Sequence, residues 1–261
     1  MISTIQAIIL GAVQGLTEFL PVSSSAHLII VPWLFNWDDP GLSFDVALHL
    51  GTLVALLAYY WRNWLSMAGS LFGGDAQQRR LLLLLIVASI PGAIVGILFE
   101  KEAETVFRSP ALVAVDLAVL GIVLWIADRW GRQARAMGDL TMVDALLIGL
   151  SQAFAIVPGV SRSGATITMA RILGINREDS ANFSFLMAAP IIAGAGLLEA
   201  RKIPLHTLGA QVGAGFVAAT IFGVIAIAAL IRFVRTRSYS VFAWYRVALA
   251  VFVIAIVIAR A

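Results

Sequence analysis

Two stretches of the chain share one pattern, GAVQGLTEFLPVSSS at 11–25 and GLSQAFAIVPGVSRS at 149–163. Three pairs of positions, each separated by 138 residues, align the two copies: Gly11 with Gly149, Gln14 with Gln152, and Ser23 with Ser161. In each copy a proline interrupts an apolar stretch, and small hydroxylated residues follow. Because broken helices in a hydrophobic protein are tolerated only around buried or wet cavities, the repeat indicates a polar site inside a membrane.

The composition is that of an integral membrane protein. Hydrophobic residues make up 61% and charged residues 13% of the 261 residues, whereas about one quarter of a soluble domain is charged. Six apolar segments approach the ~20 residues that cross a bilayer, at about 44–61, 81–98, 110–128, 182–199, 209–231 and 241–259. The net charge of +3 does not point to nucleic acid, and the absence of cysteine excludes disulfides and thiolate chemistry.

The two regions that carry the repeat, 4–36 and 142–173, are apolar but interrupted, so each is predicted to form a re-entrant hairpin. With this assignment one side of the membrane receives 11 of the 18 Lys and Arg residues, in the loops 62–80, 129–140, 171–181 and 232–240. The positive-inside rule then places those loops in the cytoplasm and both termini outside.

Three of the six spans lie between the copies of the repeat, and an odd number of crossings inverts the second copy relative to the first. The chain is therefore predicted to be an all-α integral membrane protein with six transmembrane helices plus two re-entrant helical hairpins, arranged as an inverted-topology repeat. A single membrane domain covers 1–261, with repeat 1 at about 1–128 and repeat 2 at about 139–261. We expect the two broken tips to meet near the midplane and to form a polar pocket.

The first tip carries ionisable side chains. Gln14 and Glu18 are four residues apart and share a helix face, and Ser23–Ser25 stand where a new half-helix should begin. His27 follows in the first turn of that half-helix. Since ionisable residues inside a membrane are costly and usually functional, Glu18 and His27 are predicted to form a reactive pair.

The second tip, Pro158-Gly-Val-Ser-Arg-Ser-Gly-Ala-Thr166, begins another half-helix. A helix N-terminus offers unpaired N–H groups and a partial positive charge, which favour an anion. Arg162 adds a planar cation suited to phosphate oxygens, and Ser161, Ser163 and Thr166 supply further donors. Two such helix starts with one arginine predict a phosphate or diphosphate cradle.

Structural alternatives stay open for these residues. Glu18 and Arg162 could form only an ion pair, and His27 could be a hydrogen-bonded core residue. The serines could be helix caps, and Gln14 and Gln152 are more typical of hydrogen bonds between helices.

Other ionisable residues lie outside the tips. Asp45 and His49, four residues apart near the outer end of the first span, could reach the pocket mouth or hold a cation, although an anchoring role at the interface is favoured. Arg246 in the last span could pair with Asp116 or Asp144, or snorkel to the interface; the sequence does not decide between these.

These motifs resemble the bacterial undecaprenyl-diphosphate phosphatase family, associated with bacitracin resistance. The resemblance extends over essentially the whole chain and is carried by Gln14-Gly-Leu-Thr-Glu18, Pro21-Val-Ser-Ser-Ser-Ala-His27, Phe44-Asp-Val-Ala-Leu-His49-Leu-Gly-Thr and the second tip. It implies removal of the terminal phosphate from undecaprenyl diphosphate, which recycles the carrier lipid for cell-wall synthesis. It also implies a bacterial plasma-membrane location with the site opening to the outside.

The resemblance implies a role for individual residues too. Glu18, His27 and Arg162 are expected to be catalytic, and Arg162 would clamp the phosphate. The expected substrate-binding or supporting residues are Gln14, Ser23, Ser24, Ser161, Ser163 and Thr166. A divalent cation, magnesium or calcium, is expected as cofactor, with Glu18 as its first candidate ligand.

The chain departs from the family pattern at two positions. Gln14 stands where glutamate is frequent, so a second carboxylate cannot be assumed at a metal site. Ala26 stands where glycine is usual and has less backbone freedom. Neither change is expected to disable the site.

Two other functions remain as alternatives. A polyprenyl-phosphate lipid transporter or flippase would use the same inverted-repeat pocket, but it has no need of a reactive pair. The acid phosphatase superfamily requires a second histidine in a late motif, and no histidine follows His206. The sequence leaves open whether His27, a serine or water attacks phosphorus, and whether the protein forms a homodimer.

Overall fold

The computed structural model describes residues 2–38, 40–99, 109–200 and 209–260, most of which are helical. The helices described are α1 (Thr4–Phe19), α2 (Ser24–Phe35), α3 (Leu42–Tyr59), α4 (Trp61–Ser70), α5 (Ala76–Leu98), α6 (Pro110–Trp130), α7 (Met142–Ala153), α8 (Arg162–Ile172), α9 (Arg177–Ala200), α10 (Ala210–Val234) and α11 (Ser240–Arg260). Extended structure in the described part of the chain is limited to one bridge between Arg135 and Ile175. The all-α prediction is therefore confirmed for these residues.

The spans agree with the apolar segments of the sequence. Five helices are long and apolar enough to cross a membrane, namely α5, α6, α9, α10 and α11. A sixth candidate is α3 together with α4, which bend by 74° at Tyr60. The chain is thus a multi-pass membrane protein. Residues 100–108 and 201–208, the second of which includes His206, lie outside the described residues.

Each copy of the repeat folds into two short helices around a break. The pair α1 and α2 has 16 and 12 residues, and the pair α7 and α8 has 12 and 11. At 1.5 Å per residue these helices are about 16 to 24 Å long, less than the ~30 Å hydrocarbon thickness of a bilayer. Each half-helix is therefore too short to cross a bilayer alone, and the breaks between the halves lie at 20–23 and at 154–161.

Glycines at equivalent positions let each hairpin pack closely against a span. A Cβ added to Gly11 would lie 2.2 Å from the carbonyl oxygen of Gly215 in α10. A Cβ added to Gly149 would lie 2.3 Å from the carbonyl oxygen of Ala88 in α5. Glycine permits such backbone contact in membrane helices, and the spacing of 138 therefore matches equivalent packing positions in the two hairpins.

A buried ionic cluster around Asp128 connects the end of α6 with the α8–α9 turn and the start of α11. The Asp128 carboxylate accepts hydrogen bonds from Nε of Arg171 at 3.0 Å and Nε of Arg177 at 2.8 Å. Its second oxygen accepts the backbone N–H of Tyr239 at 2.9 Å. Because Asp128 closes α6, the cluster holds the α8–α9 turn and the start of α11 against that helix end.

We expect Gly11→Ala to destabilise the protein by about 1–3 kcal/mol, because the new methyl group overlaps the Gly215 carbonyl and forces α1 away from α10. Thermal unfolding in detergent measures the change. Gly213→Ala is the matched control, since nothing lies within 4 Å of its added Cβ. Equal stability losses in both variants would contradict the close packing of α1 on α10.

Asp128→Asn is expected to cost about 3–5 kcal/mol, because it removes the countercharge of the buried Arg171 guanidinium. The control is Glu178→Gln, which affects an exposed pair with Arg235 and should change stability little. Chemical unfolding in mixed micelles compares the two. A small loss for Asp128→Asn would mean that Arg171 is satisfied by backbone carbonyls alone.

Candidate active site

The two tips share one backbone geometry. Ser23 and Ser161 are the N-cap residues of α2 and α8, with positive φ values of 73° and 71°. Each cap hydroxyl accepts a backbone N–H three residues later, from Ala26 at 3.4 Å and from Gly164 at 3.0 Å. Positive φ is uncommon outside glycine and concentrates at functional sites. Both half-helices therefore begin in the same strained conformation.

Arg246 of α11 holds the two tips together from behind. Its guanidinium, fully buried, donates to the carbonyl of Pro21 in the first tip at 3.3 Å and to that of Gly159 in the second at 2.9 Å. Further bonds reach the carbonyls of Val160 and Leu117. Backbone carbonyls freed by the breaks are thus paired with one cation, as burial in an apolar layer requires.

The structure also decides which partners Arg246 has. The nearest oxygen of Asp116 is its backbone carbonyl, at 3.5 Å, rather than its carboxylate. Asp144 forms an ion pair with Arg135 at 2.5 Å. Pairing with Asp144 and snorkelling are therefore wrong. Asp116 interacts electrostatically with Arg246 but forms no direct ion pair with it, because the broken tips offer Arg246 unpaired carbonyls instead.

Glu18 is the point at which the two hairpins meet. Its Oε1 accepts Nη2 of Arg162 at 2.8 Å, and its Oε2 accepts the Ser24 hydroxyl at 2.5 Å. The amide of Gln14 donates to Oε2 at 3.1 Å. Ser24 and Arg162 are related by the spacing of 138, so the first helical residue of each half-helix binds the same carboxylate.

Ser163 completes the contact between hairpins. Its hydroxyl lies 3.2 Å from the carbonyl of Glu18 and 3.1 Å from that of Leu20, where α1 ends. The second hairpin thus satisfies carbonyls that the break of the first leaves without helical partners.

A pocket opens in front of this contact. Its volume is about 100 Å³, smaller than the ~300–1,000 Å³ of sites that enclose a whole drug-sized ligand. The residues that line it are Glu18, Ser24, Ser25, His49, Ala155, Ser161 and Arg162. Apart from Ala155 the lining is polar or charged, which suits an anionic headgroup with a hydroxyl or water beside it.

The remaining candidate residues lie behind the pocket. Ser23 acts as a helix cap, and Gln14 is not in the pocket lining but donates to Oε2 of Glu18. The Thr166 hydroxyl donates to the Arg162 carbonyl and pairs with Ser184 of α9 at 2.7 Å. These three side chains support the lining residues from the second layer of the site.

The two histidines are placed differently from expectation. His27 points to α11, where its Nε2 lies 2.7 Å from the Tyr245 hydroxyl while its Nδ1 lies 2.7 Å from the Ser23 carbonyl. His49, assigned to the interface in the sequence interpretation, lines the pocket with Nε2 3.5 Å from Glu18 Oε2. The only sequence signal for His49 was its position at the outer end of a span, which does not give the direction of a side chain.

Fold and site together define a multi-pass membrane protein with a polar and charged pocket between two broken helices. The chain belongs to the bacitracin resistance protein BacA family, whose family model matches residues 7–252. An undecaprenyl-diphosphatase of Moorella thermoacetica is 52% identical, covering 97% of this chain and 98% of the relative. Similar proteins with the same name occur in Pelotomaculum thermopropionicum, 47% identical over 98% and 97%, and Desulforudis audaxviator, 50% identical over 98% of each chain.

Arg246→Met is expected to lose about 3 kcal/mol or more of stability, because the carbonyls of both tips are left buried and unpaired. Arg232→Met, at an exposed position of α10 that makes no hydrogen bond or ion pair with the described residues, is the control and should change stability little. The measurement is thermal unfolding of both purified variants. If the two variants unfold at the same temperature, Arg246 does not hold the tips.

Proposed function

We propose that this protein removes the terminal phosphate from undecaprenyl diphosphate, releasing inorganic phosphate and undecaprenyl phosphate for another round of cell-wall synthesis. The observation that carries the proposal is the Glu18–Arg162 contact at 2.8 Å, which sets a carboxylate and a phosphate-binding cation between two helix starts. Relatives that match nearly the whole chain are named undecaprenyl-diphosphatase. The flippase alternative is not favoured by these names.

Arg162 is proposed to bind the terminal phosphate. A guanidinium binds two phosphate oxygens side by side, and the N-terminus of α8 adds free N–H groups to the same anion. Ser161 lines the pocket at that N-terminus and supplies a further polar contact. Binding therefore transfers Arg162 from Glu18 to the substrate and leaves Glu18 free to act.

Glu18 is proposed to activate the attacking group. The nearest hydroxyl is that of Ser24, 2.5 Å from Oε2, and water in the pocket is the alternative. In either case the hydroxyl proton passes to the carboxylate, a bond from oxygen to the terminal phosphorus forms, and the bond to the bridging oxygen breaks. Undecaprenyl phosphate departs with the bridging oxygen; a phosphoserine, if formed, would then be hydrolysed.

His27 enters the reaction only if its ring turns away from Tyr245. In the present arrangement both ring nitrogens have partners outside the pocket, so a phosphohistidine requires a rotated side chain. We retain a catalytic role for His27 within the proposal as the alternative to Ser24 and water. Mapping of a trapped phosphorylated residue distinguishes the three.

A divalent cation, magnesium or calcium, is also part of the proposal, and the residues present fit one. Oε1 of Gln14 is buried with no hydrogen-bond partner among the described residues, next to the Glu18 carboxylate. No group of three His, Cys, Asp or Glu side chains able to hold a metal was found in that part of the chain. Glu18 and Gln14 would therefore share the ion with substrate oxygens and water. The bound ion would neutralise negative charge on the diphosphate.

We further propose six spans and two re-entrant hairpins in an inverted repeat, with the pocket opening to the periplasmic or extracellular side of the plasma membrane. The repeat is supported by the way in which each hairpin packs on a span of the other half. Helix α1 of the first half lies on α10 of the second, and α7 of the second half lies on α5 of the first. The arginine-rich loops that contain the Asp128 cluster support a cytoplasmic assignment for the opposite end.

Arg162→Ala and Glu18→Gln are each expected to lower phosphate release from undecaprenyl diphosphate by about 100-fold or more, because each removes one member of the pair that would bind or activate the reactants. A colorimetric phosphate assay on purified protein measures the rate. Arg62→Ala, on the exposed side of α4, is the control and should retain wild-type activity. Full activity in both pocket variants would reject the assignment.

A further inference from the structure

The roles proposed above leave one ionisable residue of the pocket lining unused. His49 projects from α3 into the pocket, and its side chain is about one quarter exposed. Its Nδ1 lies 2.7 Å from the backbone carbonyl of Asp45, one turn earlier in the same helix. A carbonyl oxygen only accepts hydrogen bonds, so Nδ1 carries a proton, and the neutral ring presents the lone pair of Nε2 to the pocket.

That lone pair faces a carboxylate. Nε2 of His49 lies 3.5 Å from Oε2 of Glu18, and two electron-rich atoms at this distance are favourable only with a positive charge shared between them. A proton on the ring would provide one. A metal ion would provide one as well, and two ligands about 2.1 Å from one ion lie roughly 3.0 to 3.4 Å apart in octahedral or tetrahedral sites.

The hydrogen bond of the second ring nitrogen, Nδ1, favours a metal ion over a proton at Nε2. Histidines that bind metals usually donate the other N–H to a carbonyl or carboxylate, which fixes the tautomer and the orientation of the ring. The Asp45 carbonyl occupies that position for His49. His27, by contrast, has its Nε2 bonded to Tyr245 and offers no free lone pair to the pocket.

A third donor lies beside the same carboxylate oxygen. Gln14 is fully buried and donates Nε2 to Glu18 Oε2, while its own Oε1 has no partner among the described residues. An unpaired buried carbonyl is costly. Because Arg162 takes only Oε1 of Glu18, Oε2 remains the carboxylate oxygen that Gln14, His49 and the Ser24 hydroxyl share.

We propose that Glu18 Oε2 and His49 Nε2, assisted by Gln14 Oε1, form a divalent cation site of this chain, with substrate oxygens and water completing the coordination. The inference rests on the proposed function for the identity of the substrate, but not for the existence of the site. An imidazole ligand suits Mn²⁺ and other transition metals better than Ca²⁺. Mn²⁺ is therefore expected to bind more tightly than Ca²⁺.

The experiment is pulsed electron paramagnetic resonance of purified protein with Mn²⁺, alone and with methylenediphosphonate, which resists hydrolysis. Modulation from a coordinated ¹⁴N is expected in the wild type. His49→Gln, which keeps an oxygen donor but removes the imidazole, should abolish that modulation and weaken Mn²⁺ binding by about tenfold or more. His27→Gln is the matched control and should retain both, and thermal unfolding checks that both variants are folded.

Three results would overturn the site: no Mn²⁺ binding under either condition, Mn²⁺ binding without ¹⁴N modulation in the wild type, or modulation that survives in His49→Gln. Phosphate release by the wild type is measured in parallel. Release without imidazole coordination would reject the cation site and leave the proposed function intact. Coordination by His49 without release from undecaprenyl diphosphate would establish the site and reject the function.

Discussion

The fold depends on hydrogen-bond partners for the backbone carbonyls that the two helix breaks leave unpaired. Two hairpins interrupt their helices where no water can replace the lost hydrogen bonds, and each unpaired group there costs several kcal/mol. Arg246 meets this requirement by bonding carbonyls of Pro21, Gly159 and Val160 with one guanidinium. Without such a cation the breaks could not persist at this depth. Without the breaks, no helix N-terminus would face the pocket.

The duplicated sequence produces a symmetric frame with asymmetric chemistry. Ser23 and Ser161 have the same φ and the same capping bond, so the backbone of both tips is equivalent. At the next position the copies differ, with Ser24 in one and Arg162 in the other, and both bind Glu18. The position that corresponds to Glu18 in the second copy is Ile156. One half therefore supplies the carboxylate and hydroxyl, and the other the cation.

Sequence reasoning reached the parts of this molecule that depend on local pattern. The helices follow from the lengths of the apolar segments, the breaks from proline and the caps from serine. The 138-residue spacing relates Ser24 to Arg162, and both contact Glu18. The sequence does not predict the direction in which a side chain leaves its helix, because that direction depends on the rotation of the helix about its axis. His27 lies in the first turn of α2 and His49 in the first half of α3, but α2 turns one towards Tyr245 and α3 turns the other towards Glu18. The partners of Arg246 were equally hidden, because backbone carbonyls carry no sequence signature.

Charge balance links the pocket to its cation. In the resting structure Glu18 and Arg162 neutralise each other, which limits the cost of keeping both buried. A lipid diphosphate brings about two or more negative charges and takes Arg162 for itself, so the Glu18 carboxylate would face the substrate uncompensated. In the proposed reaction, a divalent ion held by Glu18 would offset the negative charge of the diphosphate when Arg162 leaves the carboxylate. The proposed cation would thus balance the same exchange of partners that frees Glu18 to act.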